Sequence, residues 1–240
     1  MDYEGPFVFK NDFSALLDEK PEEVWPEGDA LLRSEAVSGQ CRVICFSPRH
    51  DLSPPEMEQE AISKVVDDWA EQTRELCEKY RWVQVFENKG SAMGCSNPHP
   101  HGQIWASDFL PNVPFKEDKN LRAYFDRTGN NMLLDYVERE LAVNERIVCE
   151  NDDWVTVVPY WAPRPFETLL LPKFAVKRLP ELTESQRGSL ADILKRRLTG
   201  CDNLFEIFFP YSMVQRGEIS RNRVFRYTID IRGANSDMAQ

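Results

Sequence analysis

Two similar series of apolar runs divide the chain. In the first, "GPFVFKND" and "CRVICF" are rich in Val, Ile and Phe and bounded by Pro, Asn, Asp and Ser, which predicts strands. From about Pro55 to Tyr80 the period lengthens. Ile62, Val65, Val66, Trp69, Leu76, Cys77 and Tyr80 make one helical stripe, with Ser53 as N-cap and prolines in the first turn. "RWVQVFEN" then alternates as a strand, "KGSAMGCSNP" is a glycine-containing loop, and "HGQIWAS" returns as a strand.

The second series begins alike. "DWVTVVPYW" and "FETLLLP" are strand candidates. Leu190, Ile193, Leu194 and Leu198 make "TESQRGSLADILKRRLTG" a helix, with Thr183 and Gln186 spaced as a capping box. "DNLFEIFFPYSM" takes the place that "RWVQVFENKGSAM" has in the first series, and Leu121 to Ile147 reads as a connecting helix. The pattern predicts an α+β fold: two copies of one unit sharing a largely antiparallel sheet with helices packed on it. The units are expected at residues 1–120 and 121–213, with 214–240 as a divergent tail. That tail has five arginines and no histidine, so the second unit has no counterpart of the first unit's histidine strand. An open sheet edge is expected beside "DNLFEIFF", where "RVFRYTIDI" alternates well enough to pair in an unspecified register.

Composition narrows the class. The chain has 240 residues, 42% hydrophobic and 29% charged, as in a soluble globular protein. A net charge of -11 and the lack of any basic run exclude a nucleic-acid partner. No apolar stretch reaches membrane-span length, and "MDYEGPFVFKNDF" has no signal-peptide pattern. Cysteines at 41, 45, 77, 95, 149 and 201 form no CxxC, which predicts free thiols in a reducing cytoplasm. Cys41 and Cys45 would lie about 13 Å apart in an extended strand, too far to share one metal ion.

The candidate chemistry lies in "SNPHPHGQIWA", which holds two of the chain's three histidines. If Pro100 to Ala106 is a strand, His99 and His101 share a face, with Gln103 two residues on. One reading makes the histidines polar edge residues or a hydrogen-bonded structural pair. The other takes in the loop ahead of them. Gly90 and Gly94 allow close backbone approach and amides aimed at an anion, Cys95 and Ser96 add small donors, and Asn88 can bond a phosphate oxygen. The plain alternative for that loop is a hairpin turn. Imidazole is largely neutral and nucleophilic near neutral pH, so a histidine facing such a cradle can attack phosphorus. Gln103 can then hydrogen-bond the charge that develops on the phosphoryl group.

The segment "FENKGSAMGCSNPHPHGQIWASDFLPN" resembles the active-site segment of the galactose-1-phosphate uridylyltransferase family, within the histidine-triad superfamily. The similarity extends through "VFKNDFSALL", "RVICFSPRH", "WVTVVPYWAPRPFETLLLPK" and "CDNLFEIFFPYSM", covering residues 1–213. The resemblance implies tandem histidine-triad-like units, a homodimer, and a two-step exchange. A histidine takes uridylyl from UDP-glucose, and galactose-1-phosphate then takes it to give UDP-galactose. By the same resemblance His101 is the nucleophile, its unused ring nitrogen held by a backbone carbonyl, and Gln103 stabilises the intermediate. Asn88, Gly94, Cys95 and Ser96 match phosphate contacts, and Asn11 and Asp12 of "KNDF" match nucleoside contacts. His50 of "SPRH" and His99 match two ligands of a structural zinc. Glu117 matches a carboxylate of a second metal site, with a solvated surface acid as the plain alternative.

The family pattern also has a CxxC zinc pair and phosphate-contacting arginines ahead of the position of Met1. Past "PYSM" it has a "GWHGAP" segment and a histidine-rich strand. This chain is therefore expected to hold an incomplete zinc set and to have lost the second metal. Two other readings stay open. One is an inactive shortened form that binds nucleotide or pairs with a full-length subunit; the other is a histidine-triad nucleotide hydrolase.

Overall fold

Residues 3–22, 31–32, 34–217 and 228–233 are described by the structure, a computed structural model. The first series folds as strands β1 (Phe7–Lys10) and β2 (Gly39–Cys45), helix α1 (Gln59–Lys79), and strands β3 (Trp82–Lys89) and β4 (His101–Ser107). The second has β5 (Ile147–Glu150), β6 (Trp154–Val157) and β7 (Thr168–Pro172), helix α4 (Glu184–Phe205), and strands β8 (Tyr211–Arg216) and β9 (Thr228–Gly233). Helices α2 (Asn112–Thr128) and α3 (Met132–Val143) connect them. The nine strands among the described residues form one sheet in the order β1-β2-β4-β3-β8-β9-β7-β6-β5, with every neighbouring pair antiparallel.

The halves repeat one topology. β4 lies between β2 and β3, as β9 lies between β7 and β8. The β3–β8 ladder joins them, pairing Phe86 with Val214 and Asn88 with Ser212. Alternation decides which side chains meet the helices. Ile44, Val85, Ile104, Leu170, Met213, Ile229 and Ile231 share one buried cluster with Val66 and Trp69 of α1 and Leu190, Ile193 and Leu194 of α4. On the opposite face Val137 of α3 covers Val155, Val157 and Leu171. Each fully buried branched side chain here contributes roughly 1.5–3 kcal/mol over an exposed one. Among the described residues no helix is long and apolar enough to cross a membrane.

Local signals place most elements. The Thr183–Gln186 capping box starts α4, with the Gln186 amide donating to Thr183 Oγ1 at 3.2 Å. Ser53 caps a 3-10 turn at Pro54–Glu56, and α1 begins only at Gln59.

Four expectations need correction. Leu121 to Ile147 is not one helix: α2 starts earlier, Gly129 ends it in a left-handed conformation, and Asn131 caps α3. Ile147 already belongs to β5. "DNLFEIFF" is not a strand, because the stripe of Leu198 and Cys201 carries α4 on to Phe205, and the strand starts at Tyr211. His99 and His101 do not share a strand face, since β4 begins at His101 and His99 lies in the preceding loop. The open edge is also absent, because β8 is paired on both sides, by β3 and by β9.

Candidate active site

β4 alternates cleanly. Gly102, Ile104 and Ala106 are buried toward the helices, while His101, Gln103 and Trp105 face the other way. His101 thus stands at the mouth of a cavity of about 340 Å³ at one end of the sheet. The cavity gathers Asn88 from β3, Cys95 and Ser96 from the loop, and His99 and His101. Gly94 belongs to the same loop and adopts φ 80°, a conformation that favours glycine. The loop's amides do not all face outward as expected. Those of Gly94 and Cys95 donate to Ser91 O and Gly90 O at 2.9 and 3.2 Å, closing the loop's own turns.

His101 is fixed by its backbone. Its Nδ1 lies 2.7 Å from the carbonyl oxygen of His99. A carbonyl only accepts, so Nδ1 carries the proton, and in the neutral ring Nε2 keeps a free lone pair. This is the tautomer a nitrogen nucleophile needs. Gln103 Oε1 accepts from the Trp105 indole at 3.1 Å, which holds the amide and leaves its NH₂ end as a donor.

The second half completes this site. Ser212 Oγ of β8 donates to Asn88 Oδ1 at 2.5 Å, which turns the Asn88 amide nitrogen away from β8. Lys89 Nζ lies 3.4 Å from both carboxylate oxygens of Asp202 on α4. Beside them Glu87 is buried and accepts from the Tyr211 hydroxyl at 2.8 Å. Ser212, Tyr211 and Asp202 are site residues that sequence reading missed. "FENKG" puts Glu87 and Lys89 beside Asn88, but no spacing announces the β3–β8 ladder.

Burial pushes the Glu87 carboxyl up to about 8 from 4.5, against the opposing pull of Tyr211 and Lys89. The folded chain therefore holds a proton that the unfolded chain releases. Stability from this group is full below about pH 4.5 and is lost as pH rises through about 8. Glu87→Gln is expected to remove that slope. Urea unfolding at pH 5 and pH 9 should show the parent losing on the order of 4 kcal/mol relative to the variant.

His50 and His99 meet, with their Nδ1 atoms 2.8 Å apart. Burial, then the neighbouring imidazoles of His50 and His101, hold His99 below the usual histidine range. The Tyr3 hydroxyl lies 3.4 Å from the remaining nitrogen of His99. Zinc takes four ligands, yet no three His, Cys, Asp or Glu side chains converge as a metal set among the described residues. Elemental analysis of protein purified without added metal should show substoichiometric zinc, and one tightly held ion per chain would contradict this.

The remaining candidates lie outside the cavity. Asn11 closes a turn after β1, its Oδ1 accepting from the Phe13 amide at 3.0 Å, and Asp12 is exposed beside it. Neither lines the His101 cavity. Glu117, on α2, is not a free surface acid, and among the described residues it belongs to no converging metal set. Its Oε1 accepts from Arg216 Nη1 at 2.6 Å.

Comparison with known proteins identifies the family. Residues 1–111 match the galactose-1-phosphate uridyl transferase N-terminal domain, and residues 117–220 match the C-terminal domain of the same family. The chain is 58% identical to a galactose-1-phosphate uridylyltransferase of Haemophilus influenzae over 88% of its own length and 60% of that protein. It is 48% identical to the Rattus norvegicus galactose-1-phosphate uridylyltransferase over 90% of its own length and 56% of that protein. It thus spans less than two thirds of the length of either relative. A solved uridylyltransferase superposes with a TM-score of 0.88 at 26% identity, covering 95% of this chain and 74% of that one. The chain belongs to the galactose-1-phosphate uridylyltransferase family.

Proposed function

We propose that this chain exchanges uridylyl between UDP-glucose and galactose-1-phosphate through a covalent intermediate on His101. The hydrogen bond from His101 Nδ1 to the His99 carbonyl carries the reading, because it leaves Nε2 unprotonated beside the cavity. In the first step the Nε2 lone pair attacks the α-phosphorus of UDP-glucose. The bond from that phosphorus to the bridging oxygen breaks, and glucose-1-phosphate leaves with the electron pair. Nδ1 keeps its proton throughout, and the His99 carbonyl steadies the positive charge on the substituted ring. In the second step a phosphate oxygen of galactose-1-phosphate attacks the same phosphorus and the P–N bond breaks. Asn88, held by Ser212, and the Gln103 amide are the donors for the transferring group, with Ser96 at the cavity wall. Asn11 and Asp12 take the nucleoside end. No step is assigned to zinc; in this reading His50 and His99 have only a supporting place beside the nucleophile.

One observation favours the inactive, nucleotide-binding alternative. Lys89 is the only Lys or Arg lining the described cavity, and it is paired with Asp202. Intact-mass analysis separates the two. Incubation with UDP-glucose should add one uridylyl group to the peptide bearing His101, and galactose-1-phosphate should discharge it as UDP-galactose. Nucleotide binding without an adduct would identify the inactive form.

A further inference from the structure

The sheet face opposite α1 and α4 carries a second cluster, whose residues do not line the His101 cavity. α2, the start of α3 and strands β7 to β9 enclose a cavity of about 240 Å³. Its charged lining consists of Glu117, Glu167 and Asp230 with Arg216 and Arg232. Arg216 Nη1 donates to Glu117 at 2.6 Å, and its Nη2 lies 3.6 Å from Asp230. Arg232 Nη2 lies 2.6 Å from the same Asp230 oxygen and 3.8 Å from Glu167. Asp230 is therefore bridged by two guanidinium groups, one from β8 and one from β9.

These residues do not fit the second metal that the family resemblance attaches to Glu117. Two features would favour a cation. Three carboxylates face one cavity, and Glu117 Oε2 and Glu167 Oε2 are buried without a hydrogen-bond partner. The positive charge is already present, however. Two guanidinium groups among three carboxylates leave a net charge of about one negative unit, too little to offset the dehydration of a divalent ion. Arg216 also takes up Glu117 Oε1, and an arginine cannot deprotonate to make room. No histidine or cysteine is among the described lining residues, so the soft donors that favour zinc or iron are missing as well.

We propose that Arg216 and Arg232 take the place of a metal ion, forming a metal-free carboxylate–guanidinium cluster that fastens β9 and α2 to the sheet. The positions support this. Asp230 sits in β9 with Leu169 on one side and Val214 on the other, and Arg216 pairs with Thr228, so the cluster spans the β8–β9 ladder. The side chains of Arg216 and Asp230 are 12% and 10% exposed, so little solvent screens them. Removing one partner of such a pair leaves the other charge buried and uncompensated.

The proposal is independent of any chemistry at His101, and its test reads metal and stability. The first arm uses the full chain carrying His50→Ala, which removes the histidine pair as a competing zinc ligand. After incubation with Zn²⁺ or, without oxygen, with Fe²⁺, desalted protein should contain no metal above the buffer blank. A retained equivalent that Glu117→Gln then removes would overturn the proposal. The second arm is a double-mutant cycle. Arg216→Met alone should lower the thermal midpoint by roughly 10 °C. The Arg216→Met, Glu117→Gln pair should fall no further than the worse single variant, whereas fully additive losses would overturn the pairing. If Arg216→Met does not fold, the metal measurement decides alone.

Discussion

His101→Ala is expected to abolish uridylyl transfer, lowering adduct formation from UDP-glucose by roughly 10⁴-fold or more. The expectation rests on the surroundings of His101. His101 has its Nδ1 held by the His99 carbonyl and lines the cavity that contains Asn88 and Ser96. His99 and His50 face each other through Nδ1, and neither presents the same arrangement. Alanine removes the attacking atom and leaves the strand intact, because His101 contributes nothing to the buried cluster under β4. Folding should be unchanged by circular dichroism while the adduct disappears from the mass spectrum. His101→Gly opens space where the ring stood, and added imidazole should restore partial transfer. A uridylyl adduct that survives in His101→Ala would refute the assignment. Gln103→Ala is a milder case, expected to slow the first step by roughly 10²-fold, since it removes one donor to the developing charge.

Much of this site was legible because it is local. Asn88, the Gly94–Ser96 loop and His101 lie within one short stretch, and strand alternation places Gln103 on the face of His101. The pairing of His50 with His99 followed from the family resemblance and not from spacing. What could not be read required tertiary pairing. Ser212 reaches Asn88 only because β3 and β8 run antiparallel in one register, and nothing within "PYSM" announces this. The helical stripe of α4 ran on into "DNLFE", yet the aromatic run behind it read as strand. Asp202 shows why the helix wins: its Oδ1 accepts from the Phe209 amide at 2.8 Å, joining the helix end to the start of the next strand. His99 shows the opposite error. Alternation assigned it to β4, but its amide donates to Asn97 Oδ1 at 3.0 Å and keeps it in the loop.

A chain ending at Gly217 is expected to fail to fold as a soluble species, although it would retain every residue of the His101 cavity. The strand it loses is internal. β9 bonds to β8 along six paired residues, from Tyr211 with Gly233 to Arg216 with Thr228, and to β7 along three. Without it β7 and β8 would stand about 10 Å apart, two strand spacings, each with an unpaired edge. Ile229 and Ile231 are 0% and 1% exposed, packed in the same cluster as α4. Emptying each site costs about 2–5 kcal/mol, so the two together approach the whole stability of an ordinary domain. Gly233 shows how closely the strand fits, since a Cβ there would collide with the Phe209 ring. The full chain is accordingly expected to be soluble, contrary to what an open edge beside "DNLFEIFF" would produce. Size-exclusion chromatography and circular dichroism of the two lengths make the comparison. Ile231→Asp in the full chain should reproduce the truncation, because it buries an unpaired carboxylate under α4. Ile231→Val should cost only about 1 kcal/mol. A truncated chain that unfolds cooperatively and elutes as a discrete species would show that β9 is not part of the core.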